Sequence, residues 1–334
     1  MKNIRVLTGI TTSGKPHIGN LCGAILPAIK ESKISGVDSF LFLADYHSLI
    51  KHKNPELTHL SSIEIAACWL ACGLDVSTTT FYRQSDITHI MELNWILSCV
   101  TEKGLLNRAH AYKSAVDKNS SKFPDKNISM GLYNYPLLMA ADILMFDANI
   151  VPVGNDQIQH LEMTRDIAMK FNHYYGEIFS IPEARIDKDK GLLLGLDGQK
   201  MSKSYGNEIS IFLDPEQLRK RVMKIKTNSL EPGQPKETEG CSIFNIYSSF
   251  ASKEQIEDFR LQYGKGISWG NAKDTLFDLL ESSLSQFRLE YKLLMKDKSF
   301  LERVLKDGAS KALNISEGVI TRVRQASGIR SFSD

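Results

Sequence analysis

Apolar and polar positions fall into alternating strand-like and helix-like blocks along the first half of the chain. Residues 4–10 form a short apolar run, followed by a loop rich in Thr, Ser and Gly. A helical pattern then begins near Gly19 or Asn20 and runs toward Lys33. The stretch 39–45 (SFLFLAD) is continuously apolar, the kind of run buried on both faces inside a parallel sheet. A long helical pattern over 55–72 opens with a proline in its first turn, 79–83 reads as a third strand, and a helix follows near 90–100. This β-α-β-α order predicts an α/β fold with a Rossmann-like doubly wound parallel sheet.

The middle of the chain, 105–146, is mostly helical in pattern and is broken by a polar stretch at 118–127. A short strand is expected at 150–154 and a helix over 157–175; a glycine-bearing loop then spans 191–207. Beyond Asp214 the pattern stays helical to the end, with a turn-rich interruption at 231–240. The predicted division is a sheet domain over 1–208, with a helical insertion around 103–148, and a helical C-terminal domain over 209–334.

Composition narrows the picture only modestly. Lys and Arg number 41 against 39 Asp and Glu in 334 residues, a net charge of +2, so nucleic-acid binding must rest on local patches. Five scattered cysteines (Cys22, Cys68, Cys72, Cys99, Cys241) fit reduced thiols better than a disulfide framework. Cys68 and Cys72 share a helical face, and core packing is the expectation over a metal pair. No signal peptide and no run of about eighteen apolar residues is present, so the expected address is the cytoplasm, with no membrane span.

The loop after the first strand carries the first candidate chemistry, because ligands of an open parallel sheet bind at the strands' carboxyl ends. Gly9 to Lys15 has the G-x-x-x-x-G-K spacing of a phosphate loop, but the Mg²⁺-holding Ser or Thr is replaced by Pro16, and that reading fails. Pro16-His17-Ile18-Gly19-Asn20 instead resembles the HIGH signature of the class I aminoacyl-tRNA synthetases, with Asn20 in place of the last histidine. Lys200-Met201-Ser202-Lys203-Ser204 matches the KMSKS signature of the same class at all five positions, 183 residues after His17. Either motif alone could be a solvated loop; their pairing in the expected order favours the class. The chemistry asks for such a loop: lysines on a mobile segment can meet the charge that builds on departing pyrophosphate.

The resemblance extends across nearly the whole chain and is to the bacterial tryptophanyl branch. It is carried by residues 8–20, by 135–144 (YPLLMAADIL) and by 152–160 (PVGNDQIQH). It implies that His17 and Asn20 approach the ATP phosphates, that Gly19 leaves room for adenine, and that Lys200 and Lys203 meet the leaving group. The same resemblance gives an ATP site of Thr11, Thr12, Ser13, Gly19, Asn20, Gly154, Asn155, Asp156, Leu192, Lys200, Met201, Ser202, Lys203 and Ser204. In this branch Asp142 reads the indole, Met139 lies against the ring, and Tyr135 and Gln157 stand near the amino and carboxylate ends. Indole offers one polar group, a donor, so its reader must be an acceptor, and a carboxylate in an apolar pocket is a strong one.

Plainer readings exist beside these: a loop histidine for His17, a helix-surface acid for Asp142, core for Met139, and a turn with an N-cap for 154–156. Three departures bear on the pocket, namely Asn155 where Glu is common, Thr11 where Gln is common, and Leu7 where an aromatic often stands.

The family resemblance implies adenylation of L-tryptophan by ATP and transfer to tRNA(Trp), with Mg²⁺ arriving on ATP rather than at a dedicated protein site. It also implies a homodimer, tRNA and not DNA as the nucleic acid, and an anticodon contact on the C-terminal helices. Basic clusters at Arg219, Lys220, Arg221, Lys224 and Lys226, and at Lys103, Arg108 and Lys113, are either phosphate-facing or solvated helical faces. Two rivals stay open. A tyrosyl synthetase shares both signatures, and a synthetase-like amino acid sensor or RNA-binding protein would not aminoacylate.

Overall fold

Five parallel strands in the order β3-β2-β1-β4-β5 make up the sheet. The computed structural model describes residues 3–12, 14–51, 53–185 and 193–332, apart from the side chain of Asp156. Strand β1 (Ile4–Thr11) leads into one continuous helical run made of α1 (Ile18–Asn20), a π-helical turn (Leu21–Ile25) and α2 (Leu26–Ser32). Then come β2 (Val37–Ala44), α3 (Asp45–Ser48), α4 (Pro55–Ala71), β3 (Thr79–Arg83), a 3₁₀ turn (Gln84–Asp86) and α5 (His89–Val100). The middle holds four helices, α6 (Lys103–Leu106), α7 (His110–Val116), α8 (Met130–Tyr133) and α9 (Tyr135–Leu144), followed by β4 (Ile150–Pro152), α10 (Ile158–Tyr175) and β5 (Glu183–Arg185). Helices α11 (Pro215–Met223), α12 (Ser242–Ser248), α13 (Lys253–Gly264), α14 (Trp269–Lys296) and α15 (Lys298–Ser327) complete the chain.

The expected doubly wound sheet is therefore present, and its order reverses between β1 and β4, where an open sheet leaves a crevice. Helix α4 starts where the proline pattern put it, with Asn54 capping the Leu57 N–H. β5 has no counterpart in the sequence pattern. Glu183-Ala184-Arg185 lacks apolar alternation, and pairing with β4 is what extends it.

Alternation along β2 and β3 sorts side chains to two cores. Leu41, Leu43 and Phe81 join Trp69, Ile65 and Ile25 on one face of the sheet, whereas Phe40, Phe42 and Tyr82 join α5, α9 and α10 on the other. Cys68 and Cys72 are buried in the first of these cores.

Helix α15 covers the edge strand β3 and shields its unpaired backbone. The approach is close enough to require glycine at 308, where an added Cβ would stand 1.7 Å from the Phe81 carbonyl oxygen. Forked ion pairs then clamp it, with Arg83 donating to both carboxylate oxygens of Glu302 (2.8 Å each) and Arg324 to both of Glu92 (2.7 and 2.6 Å). Among the described residues, no helix is long and apolar enough to cross a membrane.

Candidate active site

The two signature loops meet at the carboxyl end of β1. The main-chain N–H of Ile18 donates to the Ile209 carbonyl (2.9 Å), that of Ile211 to the Pro16 carbonyl (3.4 Å), and His17 faces Ser210 in an antiparallel bridge. The chain just beyond the lysine loop is thus stitched to the histidine loop. Met201 is buried, and a Cβ at Gly19 would stand 3.6 Å from its sulfur and 2.9 Å from the His17 ring, so glycine at 19 is a packing requirement as well. A Cβ at Gly14 would lie 3.7 Å from Lys203 Nζ.

Lys203 opens the 3₁₀ turn Lys203–Tyr205 behind Ser202, whose hydroxyl caps the Ser204 N–H at 3.3 Å. Asn207 braces this loop from behind: its Oδ1 accepts from the Ser202 N–H (2.8 Å), and its Nδ2 donates to Asp197 Oδ1 and to the Lys200 carbonyl (2.7 and 3.1 Å). Arg221 on α11 adds a second brace, donating to the Glu208 and Gly206 carbonyls at 2.9 and 2.6 Å.

These surroundings set the charges. Burial pushes the Lys203 ammonium below its usual range, while Glu208 and Glu64 pull it back up. Burial first, and then the nearby Lys203 charge, lowers His17 to about 4, against a smaller opposing pull from Glu208. His17 is therefore a neutral imidazole at neutral pH, and its Nδ1 is buried with no hydrogen-bond partner among the described residues. Its main-chain N–H is capped by Asn20 Oδ1 at 3.1 Å. Glu64 on α4 also pairs with Lys15 at 3.5 Å.

A second cluster lies across α3. The carboxylate of Asp142 on α9 is 1% exposed and accepts from His47 Nε2 (2.9 Å) and from Gln84 Nε2, which reaches both its oxygens at 2.8 and 2.9 Å. Burial raises Asp142 above the ordinary carboxylate range, and the bonds from His47 and Gln84 work in the other direction. Because a carboxylate only accepts, the bonded His47 nitrogen carries its proton. The His47 ring packs on Tyr135 (centroids 4.7 Å), and Tyr135 on His160 (5.1 Å). Met139 packs against the same core from a half-buried position.

Helix α3 joins the two clusters. Its Ser48 hydroxyl shares a 2.8 Å hydrogen bond with Thr12 on the loop after β1, while the adjacent His47 holds Asp142. Thr11 ends β1, and Gly154 and Asn155 stand just past β4, across the crevice. Ser13, Leu192 and the Asp156 side chain lie outside the described residues. Gln157 opens α10 beside this turn. Leu7, where an aromatic was the alternative, is buried in the core with Phe40 and Phe42.

His47, Ser48 and Gln84 did not emerge from the motifs. They stand at the carboxyl ends of β2 and β3, so the strand-end rule that selected the loop after β1 would have found them had it been applied to the neighbouring strands. The expected basic face on α11 is also partly spent within the protein. Arg219 pairs with Asp274 (2.6 Å), Lys220 with Glu216 (2.5 Å), and Arg221 braces the lysine loop.

The chain matches, over residues 1–285, a family described as class I tRNA synthetases for tryptophan and tyrosine (W and Y). It is 51% identical to the tryptophan–tRNA ligase of Neisseria meningitidis, an alignment covering 99% of each chain. It is 52% identical to that of Pseudomonas aeruginosa, covering 99% of this chain and 75% of the relative. The crystal structure of tryptophanyl-tRNA synthetase from Campylobacter jejuni, complexed with ADP and tryptophan, superposes with a TM-score of 0.89 at 41% identity, covering 97% of this chain and 100% of that one.

Proposed function

The chain belongs to the bacterial tryptophanyl branch of the class I aminoacyl-tRNA synthetases, and we propose that it ligates L-tryptophan to tRNA(Trp) with ATP through the two clusters that α3 joins. A carboxylate oxygen of tryptophan attacks the α-phosphorus of ATP. The bond to the β-phosphate bridging oxygen breaks, and pyrophosphate leaves. The aminoacyl group then passes to the tRNA 3′ end with release of AMP. ATP brings its own Mg²⁺.

Positioning and charge suffice for this reaction, without a protein base or covalent nucleophile. Lys200 and Lys203 meet the leaving pyrophosphate. His17, neutral because buried, offers the phosphates a hydrogen bond without another charge. Asn20, Gly154, Asn155 and Asp156 complete the nucleotide cradle with Thr11, Thr12, Ser13, Leu192, Met201, Ser202 and Ser204. Asp142 accepts the indole N–H, Met139 lies on the ring, and Tyr135 and Gln157 take the amino acid end.

The observation that carries the reading is the single short helix α3, which ties a buried acceptor to a nucleotide loop already stitched to the lysine loop. ATP–pyrophosphate exchange across the common amino acids tests it. Exchange with tryptophan is expected to dominate; exchange with tyrosine would favour the tyrosyl reading, and none at all the sensor.

The tRNA surface we assign combines the C-terminal helices over 209–334, for the anticodon, with exposed Lys103, Arg108 and Lys113 of the insertion and exposed Lys224 and Lys226. The working compartment is the cytoplasm. Homodimerisation is supported by α5, where Met91, Trp95 and Cys99 form an exposed stripe at helical spacing and Trp95 is 71% exposed. A twofold contact on this stripe would cover it. Trp95→Glu is expected to turn a dimer into a monomer in analytical ultracentrifugation; a variant that sediments like the parent would move the interface elsewhere.

A further inference from the structure

The cluster around Asp142 contains more hydrogen-bonding machinery than an indole reader needs. Gln84 is fully buried immediately after β3, and its amide orientation is fixed: Oε1 accepts the Tyr46 main-chain N–H at 3.1 Å, which turns Nε2 onto Asp142. The turn is itself clamped to α3. Asp45 accepts from the Tyr46 N–H (3.0 Å), the Ser85 N–H (3.1 Å) and the Ser85 hydroxyl (2.5 Å). The geometry points to Gln84 as a positioning and specificity-determining residue, which keeps Asp142 an acceptor-only group and so lets the site choose an indole over a phenol.

The chemistry follows from counting donors and acceptors. An ionised carboxylate accepts and never donates, so it suits an indole N–H, which donates and never accepts. A protonated carboxyl does both, and a phenol does both, so a protonated Asp142 would satisfy a tyrosine hydroxyl. Selectivity therefore depends on the ionised form, in a place where burial works against it.

The charged and titratable groups facing Asp142 are His47 and Asp45 from α3 and Tyr82 from β3. Of these, His47 supports the anion and Asp45 opposes it. Gln84 is the second donor on the anion's side, and because it carries no titrating group its support is the same at every pH. Oδ2 receives both His47 and Gln84 while Oδ1 receives Gln84 alone, leaving one place on Oδ1 for a ligand N–H.

The inference rests on Asp142 reading the indole, so Asp142→Asn is measured beside it. In Gln84→Met, KM for tryptophan should rise about 10-fold or more, since a hydrogen bond to a charged group is being removed, while KM for ATP stays near the parent value. The acidic limb of kcat/KM for tryptophan should move to higher pH by about one unit, because the anion has lost a donor. Exchange with tyrosine should gain on exchange with tryptophan, most at acidic pH. Gln84→Glu, nearly the same shape, sets a second carboxyl against Asp142, and it should show the same limb shift together with a lower melting midpoint, because a buried donor has been replaced by a second acid.

If both variants keep the parent's limb and selectivity, or if KM for tryptophan and ATP rise together with no limb shift, Gln84 is only structural and the inference is overturned. If Asp142→Asn itself leaves KM for tryptophan unchanged, the reading of Asp142 falls instead, a different result from a silent Gln84.

Discussion

Replacing Lys203 by alanine is expected to slow adenylate formation by about 10²–10³, the usual effect of removing one preorganised donor from a developing charge. KM for tryptophan in ATP–pyrophosphate exchange should stay within about twofold of the parent, the mark of an interaction made in the transition state rather than the ground state. The basis is the position of the ammonium. It lies near Gly14 and His17, with desolvation pressing it toward the neutral amine and the carboxylates of Glu208 and Glu64 holding its charge. A desolvated charge gains from a strong nearby anion, and departing pyrophosphate supplies one. Single-turnover formation of the adenylate separates the step from product release. A fall in tryptophan affinity with an unchanged rate would make the loop a binding element and no more.

The loop can act this way because it is braced at its base and joined to its partner. Asn207 and Arg221 hold the main chain at 200, 202, 206 and 208, and residues 209–211 pair with 16–18. The turn that carries Lys203 is thus the part of the loop between these braces, and the chain that follows it is bonded directly to the histidine loop. The low value of His17, about 4, arises in part from the Lys203 charge, so the two signatures are electrostatically coupled before any nucleotide arrives.

Much of this was legible in the sequence, and what was not has a physical cause. The buried strand at 39–45 was readable because continuous apolar runs have few other uses, 79–83 reads as a third strand beside it, and the structure sets β2 and β3 there. Pairing the two loops across 183 residues needed only their order. β5 was illegible because three residues without apolar alternation become a strand only through a neighbour's hydrogen bonds. Gln84 and His47 could be located by the strand-end rule but not paired by it: their meaning lies in sharing one carboxylate from beyond the ends of different strands, a relation no local pattern encodes. The basic run at 219–226 stays open in the sequence between a phosphate-facing and a solvated face, because charge density read along one helix cannot show Asp274, Glu216 and the loop carbonyls that engage Arg219, Lys220 and Arg221.

Asp142→Ala is expected to lower kcat/KM for tryptophan by about 10–100-fold or more, from loss of a charge-assisted hydrogen bond of about 1.5–3 kcal/mol. KM for ATP, measured at saturating tryptophan, should change little, because the acid bonds His47 and Gln84 and makes no bond to the loop after β1 among the described residues. The alanine also leaves the His47 and Gln84 donors buried without their acceptor, so some loss of melting midpoint accompanies it, and Asp142→Asn separates the two effects.

The parent enzyme gives an independent reading through pH. Burial raises Asp142, so the folded acid holds its proton to a higher pH than the unfolded one. On the stability side, that favours the fold below the ordinary carboxylate range, an advantage lost as pH rises through the folded value. On the activity side, the sign is opposite. The ionised acid is the stronger acceptor for the indole N–H, so kcat/KM for tryptophan should fall as pH drops through that same raised value. A profile flat down to the ordinary carboxylate range, together with an Asp142→Ala variant that still prefers tryptophan, would mean that the indole is read elsewhere in the pocket.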